Sequence, residues 1–91
     1  MRYTHDSDKQ DANLKKHGYS FEDAPQVIEG NSTVTFEDKR LDYGEQRFIT
    51  LGLLRDVVVV IVTAETDEEI RVISMRKADR NEQEIYFKNI R

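Results

Sequence analysis

The distribution of apolar and polar residues predicts a β-sheet in the second half of the chain. Residues 57–63 contain an unbroken apolar run, Val-Val-Val-Val-Ile-Val. Such a run is typical of a central strand buried on both faces, and it is too short and too β-branched for a typical helix. Further strands are predicted at 46–51 and 69–75, with a shorter β-rich fragment at 33–36. The charged segment 37–44 predicts a loop.

A first helix is predicted near the N-terminus. After a short edge strand at 3–5, Asp6 or Ser7 can cap a helix that runs to about His17. Gly18 would end this helix, because glycine tolerates a positive φ. The basic residues of the last turn agree with this boundary, since cations oppose the negative end of the helix dipole.

A second helix is predicted to follow directly. It begins at Ser20, which has a capping-box-like partner in Asp23, and it ends at the Gly-Asn pair of positions 30–31. Pro25 lies one turn inside this segment. The proline therefore predicts a kink or a shortened helix.

A third helix completes the predicted fold. Asp79 and Glu82 have the spacing of a capping box, so this helix should cover about 80–89. The connections between the last three strands are five residues each, short enough to join antiparallel neighbours. The expected fold is α+β: a single domain over 1–91, with two N-terminal helices, a mainly antiparallel sheet of four or so strands and one C-terminal helix.

Composition narrows the possible chemistry. The chain has no cysteine and only two histidines, His5 and His17, so neither a disulfide framework nor a metal centre is expected, and no cofactor is predicted. No apolar segment approaches the roughly 20 residues that span a bilayer. The N-terminal residues lack the apolar centre of a signal peptide. We therefore expect a soluble, cytoplasmic protein.

A basic cluster interrupts this acidic sequence. Between positions 71 and 80, Arg71, Arg76, Lys77 and Arg80 accompany a single acid, Asp79, which gives a local charge of +3 on a chain of net charge −4. The 18 acidic residues of the whole chain would repel RNA at long range unless cations gather on one face. The cluster is thus the strongest electrostatic argument for RNA binding.

Strand geometry constrains how two of these arginines can cooperate. Arg71 and Arg76 are five residues apart and would face opposite sides of a regular strand. They can serve one site only if a bulge interrupts the strand or if Arg76 lies beyond its end, and 74–76 is the expected place for such a break. If Arg71 lies on the other face, its role is structural. In the alternative interpretation, the arginines form surface ion pairs with the acidic segment 65–69.

Three segments resemble the motifs of a known family. In chain order they read Asn-Leu-Lys-Lys-His-Gly-Tyr-Ser-Phe at 13–21, Glu-Gln-Arg-Phe-Ile-Thr-Leu-Gly at 45–52, and Ile-Arg-Val-Ile-Ser-Met-Arg-Lys-Ala at 70–78. Together they resemble the BrnT family, small toxins of bacterial type II toxin-antitoxin systems. The resemblance implies a RelE-like fold, a ribonuclease activity that inhibits translation, and neutralisation by a BrnA-type antitoxin. It also implies an assembly of two toxins with two antitoxins, which contacts operator DNA only through the ribbon-helix-helix antitoxin.

Two departures from the family pattern keep a second hypothesis open. This chain has His5 where members tend to carry an aromatic residue, usually Trp, before the first Asp. Its last helix contains Glu82 and Glu84, where many members are strongly basic. The alternative is therefore a non-catalytic toxin remnant that binds an antitoxin and assists its repression of DNA.

Metal-free RNA cleavage assigns tasks to particular residue types. It needs a base for the 2′-hydroxyl, charge stabilisation on the phosphorane and an acid for the 5′-oxygen. Arginine suits the second task, because its planar fork contacts two phosphate oxygens and keeps its charge. Arg71 and Arg76 are the catalytic candidates of this type, with Arg80 as a further phosphate ligand. Histidine titrates closest to neutral pH, so His17 is the acid-base candidate, unless it only caps its helix.

The remaining candidates are expected to bind RNA. Lys16 and Lys77 are predicted to contact phosphate, although Lys16 can equally cover the end of its helix. Glu45 and Arg47 are two residues apart, so on a strand their side chains point the same way. They form either a structural ion pair or a catalytic pair, in which Glu45 is the general base and Arg47 binds phosphate. Tyr86 is either a stacking platform for an RNA base or a core residue, since apolar neighbours in its helix indicate packing.

Overall fold

Five strands form one mixed sheet. The computed structural model describes residues 2–39 and 44–90. In chain order its elements are β1 (Arg2–His5), α1 (Ser7–His17), a 3-10 turn (Phe21–Asp23), α2 (Ala24–Ile28), β2 (Val34–Glu37), β3 (Gln46–Leu54), β4 (Val57–Glu65), β5 (Glu69–Lys77) and α3 (Arg80–Asn89). Across the sheet the order is β1-β5-β4-β3-β2, with β1 parallel to β5 and the other pairs antiparallel. The predicted α+β class is confirmed, but the sheet has five strands rather than four or so.

Apolar side chains on the two faces of the sheet form two separate cores. β4 contributes to both, as expected for a central strand: Val59 and Ile61 pack toward α2, whereas Val58 and Val60 pack toward α3. The first core consists of Phe21, Ala24, Val27, Leu54, Val59, Ile61, Val72 and Met75, and the second of Leu51, Val58, Val60, Ala78 and Tyr86. The sheet therefore has one apolar core on each of its faces.

The ends of α1 and α3 follow the predicted capping signals. Asp6 caps α1 by accepting hydrogen bonds from two backbone N–H groups of the first turn, and Gly18 ends it at a φ of 79°. In α3 the capping box is complete, because the Asp79 side chain accepts from the N–H of Glu82 and the Glu82 carboxylate accepts from the N–H of Asp79. These local signals suffice to fix both helices.

The second helix is shortened, which is one of the two alternatives that Pro25 predicts. Ser20 caps the 3-10 turn by accepting a hydrogen bond from the N–H of Glu22, and α2 begins only at Ala24. Pro25 lies in the first turn of α2, where its missing N–H breaks no helical hydrogen bond. The proline therefore marks the start of a helix rather than a kink. In the part of the chain that the structure describes, no helix is long and apolar enough to cross a membrane.

The three central strands are longer than predicted, with nine residues each. β3 and β4 are joined by the two-residue turn of Arg55 and Asp56, which have φ values of 47° and 67°. Positive φ at both positions matches the twist of a tight hairpin, so the strands extend to the turn itself. The predicted loop at 37–44 begins one residue late, since β2 includes Glu37, and its positions 40–43 lie outside the described residues.

Candidate functional site

Arg71 and Arg76 project from the same face of the sheet. Arg71 pairs with Ala64 of β4, and Arg76 pairs with Val60 of the same strand. Paired residues point to the same side, and positions four apart on a strand share a face. Since Val60 packs in the core beneath α3, both arginines lie on the α3 side of the sheet.

A β-bulge at Ile73 produces this alignment. Between Val72 and Ser74, β5 advances by two residues where β4 advances by one. The five-residue separation of the two arginines therefore counts as four in the sheet. Arg71 and Arg76 can share one site only if a bulge interrupts the strand or if Arg76 lies beyond its end, and the structure has this bulge. It lies at Ile73, immediately before the predicted position 74–76.

Arg71 belongs to an ion cluster with Glu45 and Arg47. Its Nη2 lies 3.0 Å from both carboxylate oxygens of Glu45, and the Nε of Arg47 lies 3.0 Å from Glu45 Oε2. Ala64 separates the two arginines in the register, so the cluster spans this small residue. The hydrogen bonds from Arg47 and Arg71 hold the pKa of the Glu45 carboxyl below its usual value.

Arg76 forms a second ion pair, with Glu82 of α3. Nη1 lies 2.8 Å from Oε1 and Nη2 lies 2.8 Å from Oε2, a two-pronged contact. The same hydrogen bonds lower the pKa of Glu82 and raise that of Arg76. Because Glu82 also caps α3, the first turn of this helix fixes the position of the Arg76 guanidinium.

These contacts replace the ion-pair partners that the sequence suggests. Arg71 and Arg76 pair with Glu45 and Glu82, and not with the acidic segment 65–69. Within the described ranges, Glu69 of that segment pairs with Arg2 instead. The pairing expected from proximity in sequence fails for Arg71, because the sheet register places the start of β3 level with Arg71, across the single strand β4.

A shallow apolar trough separates the two ion clusters. Its floor is the row of paired residues Phe36, Ile49 and Val62. On β4 the flanking rows pass through Ala64 and Val60, four residues or roughly 13 Å apart. The trough encloses about 440 Å³ and is also lined by Glu37, Asp38, Lys39, Leu51, Val60, Arg76, Asn81, Glu82 and Ile85. The charged residues of its lining are three acids and two cations, and Arg47 and Arg71 lie just outside it on the Ala64 row.

The predicted acid-base residue lies at the end of α1. Asn13 of this helix is hydrogen-bonded to the backbone of Met75, the residue before Arg76. His17 lies one helical turn beyond Asn13, on the same side of α1, and is half-buried, whereas Lys16 is exposed. Among the described residues, no hydrogen bond or ion pair joins either side chain to an arginine of the two clusters.

The basic residues of the cluster at 71–80 lie farther apart than the sequence suggests. Lys77 pairs with Val59, so its side chain leaves the strand on the face opposite to that of Arg76. Arg80 is exposed at the first position of α3. Of the four basic residues in the cluster at 71–80, Arg76 alone lines the trough.

Tyr86 is a core residue, which corrects the proposal that it stacks on RNA. Its side chain has 0% exposure, and its hydroxyl donates to the carbonyl of Ser32 over 2.8 Å. A ring with both faces covered cannot receive a base. Burial also raises the pKa of this phenol.

Three further residues of this region escape sequence reasoning. Asn13 is buried and bonds to β5, Phe36 exposes its ring on the trough floor, and Thr4 pairs with Arg71. The Thr4 hydroxyl is buried without a hydrogen-bond partner among the described residues. Asn13 begins the motif at 13–21, but that motif does not reveal its contact with β5, and none of the three motifs includes Thr4 or Phe36. Each role depends on which elements become neighbours.

Comparison with known proteins adds one match. A family model described as "Ribonuclease toxin, BrnT, of type II toxin-antitoxin system" matches residues 5–82. The matched range includes both ion clusters, the bulge and the floor of the trough. Comparison with curated proteins gives no match.

Proposed function

The chain belongs to the BrnT family, the ribonuclease toxins of type II toxin-antitoxin systems, and from this premise we propose that it cleaves RNA on the α3 side of its sheet without a metal ion. Cleavage of cellular RNA would inhibit translation, and an antitoxin of the BrnA type would neutralise the protein. The observation that carries the assignment of the site is the shared face of Arg71 and Arg76.

In the proposed reaction, a base removes the proton of a ribose 2′-hydroxyl. The 2′-oxygen then forms a bond to the neighbouring phosphorus, and the bond from phosphorus to the 5′-oxygen breaks as an acid protonates that oxygen. The products are a 2′,3′-cyclic phosphate and a 5′-hydroxyl. Arg76 is assigned to the phosphorane, because its planar fork, once a phosphate has displaced Glu82, can contact two oxygens and stabilise the charge that develops on them.

Arg47 and Arg71 are assigned to a second phosphate. Their cluster lies roughly 13 Å from the Arg76 row, too far for both to hold the same phosphate without leaving their present carboxylates. Both arginines contact the carboxylate of Glu45 there, so a phosphate that replaced this carboxylate would meet two guanidinium groups. Lys16, Lys77 and Arg80 would then contact RNA outside the trough.

Both phosphate sites are occupied by carboxylates in the free protein. The side chains of Arg71 and Arg76 are 42% and 38% exposed, so water screens their ion pairs. Screening by water weakens ion pairs between partly exposed groups. RNA phosphate can therefore displace Glu45 and Glu82 at small energetic cost.

His17 is assigned to proton transfer. The assignment rests on its position one turn beyond Asn13, which is bonded to the residue before Arg76. Its alternative role is structural, at the end of α1. A loss of the acidic or basic limb of the cleavage pH profile in His17→Ala, with an unchanged unfolding midpoint, would distinguish proton transfer from support of the helix.

The partners follow from the family assignment. We propose an assembly of two toxins with two BrnA-type antitoxins in the cytoplasm, with operator DNA contacted only by the antitoxin. A RelE-like arrangement of the fold is part of the same proposal. β1 lies at one edge of the sheet and is a plausible place for pairing, because its outer backbone groups face no further strand of the sheet.

A second function is favoured by the ion pairs themselves. Every arginine of the two clusters already contacts a carboxylate, and Glu82 stands where many family members are basic. The chain would then be a non-catalytic remnant that binds an antitoxin and assists repression. This alternative predicts no effect on RNA when the protein is produced alone.

Expression of the wild type beside Arg76→Ala tests the proposal. We expect wild-type expression to arrest growth and fragment RNA, and Arg76→Ala and Arg76→Lys to relieve both effects, since lysine lacks the planar fork. Arg55→Ala is the matched control, because Arg55 is 70% exposed at the far turn of the β3–β4 hairpin. Intact RNA and normal growth with the folded wild type would exclude the ribonuclease and support the remnant.

A further inference from the structure

We propose that the trough binds one base of single-stranded RNA, stacked on Phe36, and that this contact determines which nucleotides are cleaved. The inference rests on the proposed ribonuclease function, since it concerns the same face of the sheet. It assigns to Phe36, Ile49 and Val62 a role in substrate selection.

The floor of the trough has the chemistry of a stacking platform. Phe36 keeps 45% of its surface exposed although it lies within a strand, and Ile85 opposite it in α3 is 38% exposed. Single-stranded RNA is recognised by aromatic rings that receive unstacked bases, and open antiparallel sheets present such rings. An RNA base would remove this apolar surface from water.

Positively charged arginines on the two sides of the trough can contact the phosphate backbone of the RNA whose base lies on the floor. Arg76 lies on one side, and Arg47 and Arg71 lie on the other, with the Phe36 row between them. The rows on the two sides of a base on the floor therefore each carry an arginine that the RNA backbone can approach. A purely apolar occupant, such as a protein segment, would leave these arginines without a new partner.

Polar groups next to the floor can read the edge of the base. Asn81 lines the trough from α3, and its amide both donates and accepts hydrogen bonds. Ser74 continues the floor row on β5, since it pairs with Val62. A volume of about 440 Å³ admits a small planar ligand and lies within the usual range of such sites.

The test compares Phe36→Ala, Phe36→Tyr and wild type on one RNA of defined sequence. We expect Phe36→Ala to raise KM and the dissociation constant for a single-stranded oligonucleotide by about 5- to 100-fold, the usual effect of losing one stacked base. The distribution of cleavage sites should broaden at the same time. Phe36→Tyr should behave as wild type, and Phe87→Ala is the matched control, because Phe87 is 59% exposed on α3 outside the trough.

The outcomes separate this inference from the proposed function. Cleavage by wild type with an unchanged pattern and affinity in Phe36→Ala overturns the base site and leaves the ribonuclease intact. Binding of the oligonucleotide without cleavage refutes the ribonuclease, and the affinity of Phe36→Ala then decides the base site alone. Loss of antitoxin binding in Phe36→Ala, with RNA affinity unchanged, would make the trough a protein-docking surface. Absence of both cleavage and RNA binding overturns both proposals.

Discussion

Asn13 completes the edge of the sheet by binding both backbone groups of Met75. Its Nδ2 donates to the Met75 carbonyl over 2.8 Å, and its Oδ1 accepts from the Met75 N–H over 3.1 Å. β1 pairs with β5 only as far as Val72, so these two groups lie beyond the end of the edge strand. A side chain from α1 thus takes the place of the missing strand and holds β5 next to Arg76.

Replacing Asn13 should destabilise the fold strongly. Asn13→Ala would leave a buried donor and a buried acceptor of Met75 unsatisfied, so we expect a loss of about 2–4 kcal/mol in the free energy of unfolding. Urea denaturation monitored by circular dichroism measures it. Asn89→Ala, at an exposed helix end, is the control and should lose less than about 1 kcal/mol. An Asn13→Ala midpoint equal to that of the control would contradict the role in edge closure.

Gly52 is required by the close approach of α2 to β3. A Cβ at this position would lie 2.6 Å from Val27 Cγ1 and 3.3 Å from Thr33 Cγ2. Because valine is stiff, Gly52→Ala should destabilise the protein by about 1–3 kcal/mol. In a double-mutant cycle measured by urea denaturation, Val27→Ala should relieve part of this loss. Simple additivity of the two substitutions would show that the contact does not limit packing.

Glu82→Gln isolates the charge of Glu82 from its capping role. Glutamine can keep the capping hydrogen bonds, so the substitution removes mainly the ion pair with Arg76. The pKa of Glu82 in the fold lies below its ordinary value of 4.5, so its ionised form stabilises the folded state. That contribution is present above pH 4.5 and is lost as the pH falls through the lowered value.

The expected difference in unfolding free energy between wild type and Glu82→Gln is about 1 kcal/mol at pH 7. It should shrink toward zero as the pH falls below 4.5, when measured by urea denaturation at each pH. Glu84→Gln, an exposed position in the same helix, is the control. A difference that stays constant from pH 7 to acid would mean that the ion pair does not stabilise the fold.

Tyr3 predicts a loss of stability at high pH. Burial, and then the hydrogen bond that its hydroxyl donates to Glu29 over 2.7 Å, raise its pKa from 10.0 to about 12. The neutral phenol therefore favours the folded state, with a contribution that is complete below pH 10 and lost as the pH rises through 12. Tyr3→Phe should flatten the fall of the unfolding free energy between these values, measured by urea denaturation. Equal slopes in Tyr3→Phe and wild type would contradict the assignment.

Local signals in the sequence predict the helices and the central strand well. The capping box at Asp79 and Glu82, the cap at Asp6 and the helix end at Gly18 each involve residues within one turn, so their partners are known before folding. The apolar run of β4 likewise predicts a buried central strand without knowledge of its neighbours. Pro25 shows the limit, because a single proline is compatible with a kink or with a helix start, and only the packing of α2 decides.

The contacts of the candidate site depend on distant parts of the chain. Glu45 and Arg71 are 26 residues apart, and their contact exists only because β4 lies between β3 and β5. No residue type in the sequence marks the bulge at Ile73. The five-residue spacing of the arginines shows only that a bulge is required if both are to lie on one face. Phe36 carries no charge or motif, so its exposure appears only once α3 is seen to cover one end of the face.

The bulge at Ile73 also affects which residues of β5 are aligned as equivalent between related proteins. A relative that lacks this one residue would have the equivalents of Arg71 and Arg76 four residues apart rather than five and, in a regular strand, would keep both on one face. An alignment that forces equal lengths would place one of these arginines opposite a residue from the other face. Across the family, strand pairing is therefore a safer guide to equivalence at this site than residue counting.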